Sequence, residues 1–467
     1  MLILIAFPLA SFGGALILCL RKSSIRNQPS EVAMASHHFT VRLVSILSFT
    51  MLLASLCAAQ TIPVSQAAHA AASNAVSVSS GGWSQLAKFV PINGCCLGLE
   101  NNSVAISGDT VVVGQEPLGS GVKIVAQVFT RAPQGWRNSP PVAMLSGPAP
   151  TEPYMAPVAI DGDTIVAVGP IGFQGMPGYA FVYVKPPGGW TNMSPTAVLS
   201  LSDDGKGTFG QAVAISGDTI VITDDGASKS TPGEAYVFVK PAGGWHNMTE
   251  TAKLTASDGT ATDLFGWSVG MSGDTVAVGA PQFGSISDPG PGKAYVFVKP
   301  STGWQSMTQT AELTVSNSTG GEQIGLSISV SGNTVLTGAP AYQKFLGAAF
   351  VFQKSSSGWK NMTQTAMLTP GDSVALETGW SVGISGTIAA LGSPSRGRSP
   401  NGYEGGVYVF EEPAGGWQNA SSTVVLTGAD AHYNQSLGVS VSISGKILVA
   451  GTQIKSAHGT SYVFGLP

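Results

Sequence analysis

The chain has 467 residues, with 22 Lys and Arg against 26 Asp and Glu, a formal net charge of −4 and only 10% charged residues. Soluble domains average about 25% charged residues. The basic residues are scattered, so the concentrated cationic face that nucleic acid requires is absent and nucleic-acid binding is excluded. With 60 Gly and 29 Pro, the composition predicts short strands joined by tight turns.

Residues 1–33 begin with the apolar run MLILIAFPLASFGGALILCL and read as an over-extended start or a membrane span. Residues 34–59 have the layout of a secretory signal: Arg42, the apolar stretch LVSILSFTMLLASL, and small residues before a cut after Ala59. Residues 60–80 form a small-residue polar linker. The chain is therefore expected to be secreted or displayed at the cell surface, with its mature domain outside the bilayer. Anchorage by an uncleaved N-terminal segment is the alternative. Cys19 and Cys57 lie in the leader, leaving the adjacent Cys95 and Cys96, which form a vicinal disulfide or stay free; one pair is no disulfide scaffold.

From residue 81 to 467 three anchors recur seven times. A Gly-Trp pair places Trp at 83, 136, 190, 245, 304, 359 and 417. A turn reads SGDT at 107, DGDT at 161, SGDT at 216 and 272, SGNT at 331, SGT at 385 and SGK at 444. An aromatic strand reads AQVF, AFVYV, AYVFV twice, AFVF, VYVF and SYVF. Each unit is read as four strands, A to D, such as WSVGM, TVAVG, AYVFVK and TAKLTA. Gly in the A–B turn supplies the positive φ that a two-residue hairpin needs.

One four-stranded sheet leaves two apolar faces and two edges exposed; radial stacking buries the faces. The chain starts its repeats with a lone strand D, GGWSQLAKFV, and ends on a lone strand C, SYVFGLP. The expectation is an all-β, seven-bladed β-propeller of four-stranded antiparallel blades, its ring closed by the N-terminal outer strand.

The stretch LFGWSVGMSGDTVAVGAPQFG (264–284) resembles the FG-GAP repeat, with Phe209-Gly210, Phe265-Gly266, Gly279-Ala280-Pro281 and Gly338-Ala339-Pro340 matching its namesake motifs. The resemblance covers about 380 residues and implies the seven-bladed propeller of integrin α-subunit heads. Many members hold calcium in an acid-rich A–B loop. Here that loop has shrunk to Ser-Gly-Asp-Thr or less, and one Asp such as Asp218 or Asp274 cannot supply a calcium cage. A metal-free relative without cofactor is expected, the turn Asp accepting local backbone bonds.

The variable segments are the D-to-A links and the B-to-C loops, which share the opposite rim. Tyr154, Phe173, Phe283, Tyr342, Phe345, Tyr403 and Tyr433 fall in them and are the candidate ligand-binding residues. Asp203, Asp204, Asp258 and Asp263 are the remaining carboxylates considered for a metal, with solvated loop acids the competing explanation. Ring closure would bring Cys95 and Cys96 near His432 and His458, zinc-like in composition, although exported neighbouring cysteines favour a disulfide. The sequons at 192, 247, 361 and 419 follow the repeated Trp and read as copies of a turn.

The favoured reading is an exported, non-catalytic binding propeller, expected to be a monomer, that recognises an extracellular protein or polysaccharide through its long-loop face. The alternative is an exported propeller enzyme acting on polysaccharide as a hydrolase or lyase. Paired acids converging at the axial mouth would favour that alternative.

Overall fold

The computed structural model describes residues 81–466 other than 92–102, 115–123, 148–156, 170–177, 204–208, 228–229, 284–289, 398–401, 423, 431–434 and 454–458. Within the compact unit Ser77–Pro467 the chain forms seven blades of four to five strands. The third blade shows the pattern: Val213–Ser216 (A), Thr219–Asp224 (B), Glu234–Val239 (C) and Ala252–Thr255 (D), antiparallel and in that spatial order. The seventh comprises Ser440–Ser444, Ile447–Gly451 and Ser461–Gly465, with Ser84–Phe89 antiparallel to the last of these.

The A strands lie against one another all the way round, the seventh against the first included, so they are innermost. A belt of hydrogen bonds joins their turns. The backbone N–H of each turn glycine donates to the residue just before the turn of the preceding blade. Gly162 donates to Ser107 Oγ at 3.1 Å, Gly217 to Asp161 Oδ2 at 2.7 Å and Gly273 to Ser216 Oγ at 3.0 Å. Gly332, Gly386 and Gly445 continue it to Ser272, Ser331 and Ser385 at 3.0–3.1 Å. Gly108 completes it by donating to Ser444 Oγ at 3.2 Å. The repeated Ser-Gly is therefore a bond between blades as well as a turn.

An apolar core fills each of the seven junctions between neighbouring blades. Alternation along strand C sets its shape. In the third blade Tyr236 and Phe238 face the second, while Ala235 and Val237 face the fourth. Large side chains from one sheet thus meet small ones from the next, which lets flat sheets pack without voids. Fully burying one such aromatic ring contributes about 2–3 kcal/mol. Trp245 joins the core between the second and third blades, so the repeated Trp seals a junction.

The Phe-Gly and Gly-Ala-Pro motifs meet across these junctions. Phe265 sits edge-on to Tyr295 and Phe297, with ring centroids 5.4 and 6.0 Å apart. At Gly279 an added Cβ would lie 2.0 Å from the backbone carbonyl oxygen of Gly325 in the next blade. Ser268 Oγ donates to that same carbonyl at 2.7 Å. Equivalent contacts join Gly338 to Gly379 and Gly392 to Gly438. Only glycine allows the blades to approach this closely.

A fifth strand, absent from the four-strand reading, covers several outer edges. Met248–Thr249, in the C–D link of the third blade, runs parallel to the second blade's strand D, with Met248 opposite Leu199. Met307–Thr308, Met362–Thr363 and Ala420–Ser422 repeat the device. Pairing an edge with the neighbouring unit removes a template for aggregation.

Candidate functional site

The two rims differ in kind. On the A–B rim each turn Asp faces a basic residue at the end of strand C: Asp109 with Arg131 at 3.3 Å, Asp163 with Lys185 at 2.5 Å, Asp218 with Lys240 at 2.8 Å and Asp274 with Lys299 at 3.5 Å. The carboxylates therefore pair with a cation rather than accept local backbone bonds, because strand C ends directly beside the turn. A lone carboxylate with an ammonium or guanidinium beside it does not fit calcium. Among the described residues no cluster of three His, Cys, Asp or Glu side chains is arranged to hold a metal ion.

On the long-loop rim the D-to-A acids tie successive blades together. Asp258, in the loop leaving the third blade, accepts from Lys293 Nζ at 2.6 Å and from the Tyr295 hydroxyl at 2.9 Å, both in the fourth. Burial opposes its ionisation, but those two bonds outweigh it and hold the carboxyl below the usual range. Asp372 accepts from Tyr408 at 2.7 Å and from Arg396 at 3.2 Å, Asp430 from Tyr462 at 2.8 Å and from Lys88, and Asp203 from Lys253 at 2.9 Å. Lys253, Lys293 and Lys88 also lie over the rings of Tyr236, Tyr295 and Tyr462, 5.2–5.5 Å from their centroids. In the next repeat the residues corresponding to Asp258 and Tyr295 are Asn317 and Phe350. Asp263 is buried and accepts from Gln282 Nε2 at 2.9 Å and Thr260 N at 2.8 Å. Asp203, Asp258, Asp372 and Asp430 thus act between blades, whereas Asp263 joins the D-to-A loop to the B-to-C loop of the blade it enters.

Of the candidate ligand-binding aromatics, four lie among the described residues. Phe283 is half-buried and stands edge-on to Trp267, with centroids 4.8 Å apart at 88°. Tyr342 is half-buried, edge-on to Phe350 at 5.4 Å and packed on the core between the fourth and fifth blades. Phe345 ends a left-handed run, with φ of 49°, 58° and 70° at Gln343, Lys344 and Phe345. Its carbonyl accepts from Glu377 N at 2.7 Å, which ties the loops of two blades. Tyr403 is half-buried, and its carbonyl accepts from Gln435 N and Ser436 N. Tyr154, Phe173, Tyr433, Cys95, Cys96, His432, His458 and Asp204 lie outside the described residues.

Backbone strain is concentrated on this rim. Among the described residues ten non-glycine residues have positive φ: Ser230, Leu264, Gln282, Asn317, Gln323, Gln343, Lys344, Phe345, Glu377 and Ser436, all in D-to-A or B-to-C loops. Each such residue costs about 1–2 kcal/mol, and strain of this kind gathers at functional sites. The A–B turns use glycine instead. Glu377 is also buried, its carboxyl accepting from Ser395 Oγ. Burial pushes its pKa up, and the Ser395 bond offsets only part of that.

Sequence reasoning passed over Trp267 and Trp380. They are the two tryptophans outside the seven repeated anchors, although each also follows a glycine, and each immediately precedes a strand A, Ser268–Ser272 or Ser381–Ser385. The A strands are innermost, so both residues sit at the inner end of the long-loop face, where strand A begins, and both are half-buried.

The repeated sequon asparagines have a structural task. Asn192, Asn247, Asn361 and Asn419 accept, through Oδ1, the backbone N–H of Met144, Val198, Glu312 and Met367 in strand D of the preceding blade, at 2.8–2.9 Å. Their recurrence matches this cap, which repeats from blade to blade.

Among the described residues no helix is long and apolar enough to cross a membrane. No curated protein matches the chain. The FG-GAP repeat model matches residues 196–238 and 248–297, which contain strands A and B of the third and fourth blades together with Phe209-Gly210, Phe265-Gly266 and Gly279-Ala280-Pro281. With seven blades of one strand order, these matches make the chain an FG-GAP β-propeller.

Proposed function

We propose that this is an exported binding propeller that recognises an extracellular protein or polysaccharide through its long-loop face, without catalysis. One observation carries the reading: the two faces are built differently. The A–B face repeats one tight turn, locked by a closed belt of hydrogen bonds. The opposite face carries the divergent loops, every left-handed non-glycine residue among the described ones and the half-buried Trp267, Phe283, Tyr342, Trp380 and Tyr403. A rigid scaffold that varies on one face is the usual arrangement for recognition. The rim carboxylates Asp258, Asp372 and Asp430 are held by Tyr and Lys or Arg, which supports binding over glycoside hydrolysis. The leader sequence supports export.

The test is to probe glycan and extracellular-matrix arrays with the purified protein, with and without chelator. Binding that ignores chelator and is lost on altering the long-loop face supports the reading. Turnover of a polysaccharide without stable binding overturns it.

A further inference from the structure

We infer that Trp267 and Trp380 form a two-point stacking platform at the inner end of the long-loop face for a neutral polysaccharide. The inference deepens the binding reading and rests on it. At the corresponding step of the repeat, between Gly and the A-strand, the residues run Gln211, Trp267, Leu326, Trp380 and Val439. The two indoles belong to the fourth and sixth blades, with Leu326, 8% exposed, between them in the fifth. The buried anchor tryptophans, such as Trp245 at 6% exposure, seal junctions, whereas Trp267 and Trp380 keep part of their surface open.

Both rings are mounted alike. Trp267 N donates to the Leu264 carbonyl and Trp380 N to the Glu377 carbonyl, each at 3.1 Å, and both acceptor residues are left-handed. The glycine before each Trp also has positive φ, 97° at Gly266 and 88° at Gly379. Phe283 braces the Trp267 ring edge-on. Two aromatics held on rigid turns lose little freedom on binding, which favours a ligand that is itself stiff.

The chemistry of the ligand follows from the surroundings. Lys253, Lys293, Arg396 and Lys88 on this rim are each held by carboxylates, which leaves Lys344 as the one exposed cation without a carboxylate partner among the described residues of the rim, too little open charge for an anionic polymer. A flat indole instead suits the C–H face of a pyranose ring, whose hydroxyls remain in water at its edge. Two platforms separated by a blade suit an oligomer that presents more than one such ring.

The experiment titrates the purified protein with cello-, chito- and laminari-oligosaccharides, following tryptophan emission and calorimetric heat. Saturable binding to at least one is expected, weakened by about tenfold or more in Trp267→Ala and in Trp380→Ala and lost in the double variant. Unchanged melting midpoints would show that the variants fold. Binding undiminished by either substitution overturns the inference. Silence toward all three oligosaccharides, with matrix proteins still captured on the array, overturns the carbohydrate assignment and leaves the recognition face standing. Silence on both removes the binding reading as well.

Discussion

The Tyr295 hydroxyl in the fourth blade donates to the Asp258 carboxylate, 2.9 Å away in the loop leaving the third. One junction on, the corresponding pair is Phe350 and Asn317, with hydroxyl and charge both missing. The two residues therefore work as a unit. Tyr295→Phe and Asp258→Asn are each expected to cost about 1 kcal/mol, since the carboxylate is partly exposed. The double variant should cost less than their sum. Urea midpoints of the four proteins measure the coupling, and strict additivity would refute it.

Gly279 and Gly273 give opposite forecasts for the same substitution. Gly279→Ala drives a Cβ to 2.0 Å from the Gly325 carbonyl oxygen, and no rotamer change can relieve a clash with backbone. A loss of about 3 kcal/mol or more is expected. Gly273→Ala meets open space and suffers only from its φ of 55°, so about 1–2 kcal/mol is expected. Denaturant unfolding of the pair decides whether blade contact or turn conformation matters more.

Glu377 predicts an inverted pH dependence. Its folded pKa is raised by burial, so the native state binds more protons than the unfolded chain above the ordinary glutamate value of 4.5. Its contribution to stability is therefore present at acid pH, declines as pH rises through that window, and levels off above the folded pKa. Glu377→Gln removes the titration. The variant should be more stable than the parent at neutral pH, with the difference narrowing towards pH 4. Thermal melts across the pH range check this, and a constant offset would contradict it.

Asn247 caps Val198 N in the second blade at 2.9 Å. Asn247→Ala should cost about 0.5–1.5 kcal/mol, while Asn247→Asp keeps an acceptor oxygen and should cost less. Hydrogen exchange of the Val198 amide reads the local effect. Equal protection in all three proteins would rule the cap unimportant.

Much of the fold was legible because each repeat carries its own turn, aromatic strand and Trp. The roles of single polar residues were not. Asp258 is bonded to residues 35 and 37 positions away, in the next repeat, so no local spacing reveals its partners. Asp203 and Lys253 are likewise 50 positions apart. The sequon asparagines read as a copied turn, yet the N–H groups they cap lie in the preceding blade. Trp267 and Trp380 went unmarked because each is simply the residue after a glycine in its own repeat. What sets them apart is partial exposure at the inner end of the long-loop face, a property of the closed ring. The fifth strand escaped for a similar reason: Met248–Thr249 is only two residues long and pairs with a different repeat.

The borrowed fifth strands have a consequence for assembly. The second through fifth blades each take their outermost strand from the blade that follows. None of these sheets can be finished while its successor is still being synthesised. A chain stopped after any of them would expose a raw strand edge, and the heritable unit that can be gained or lost is cut across two blades rather than around one.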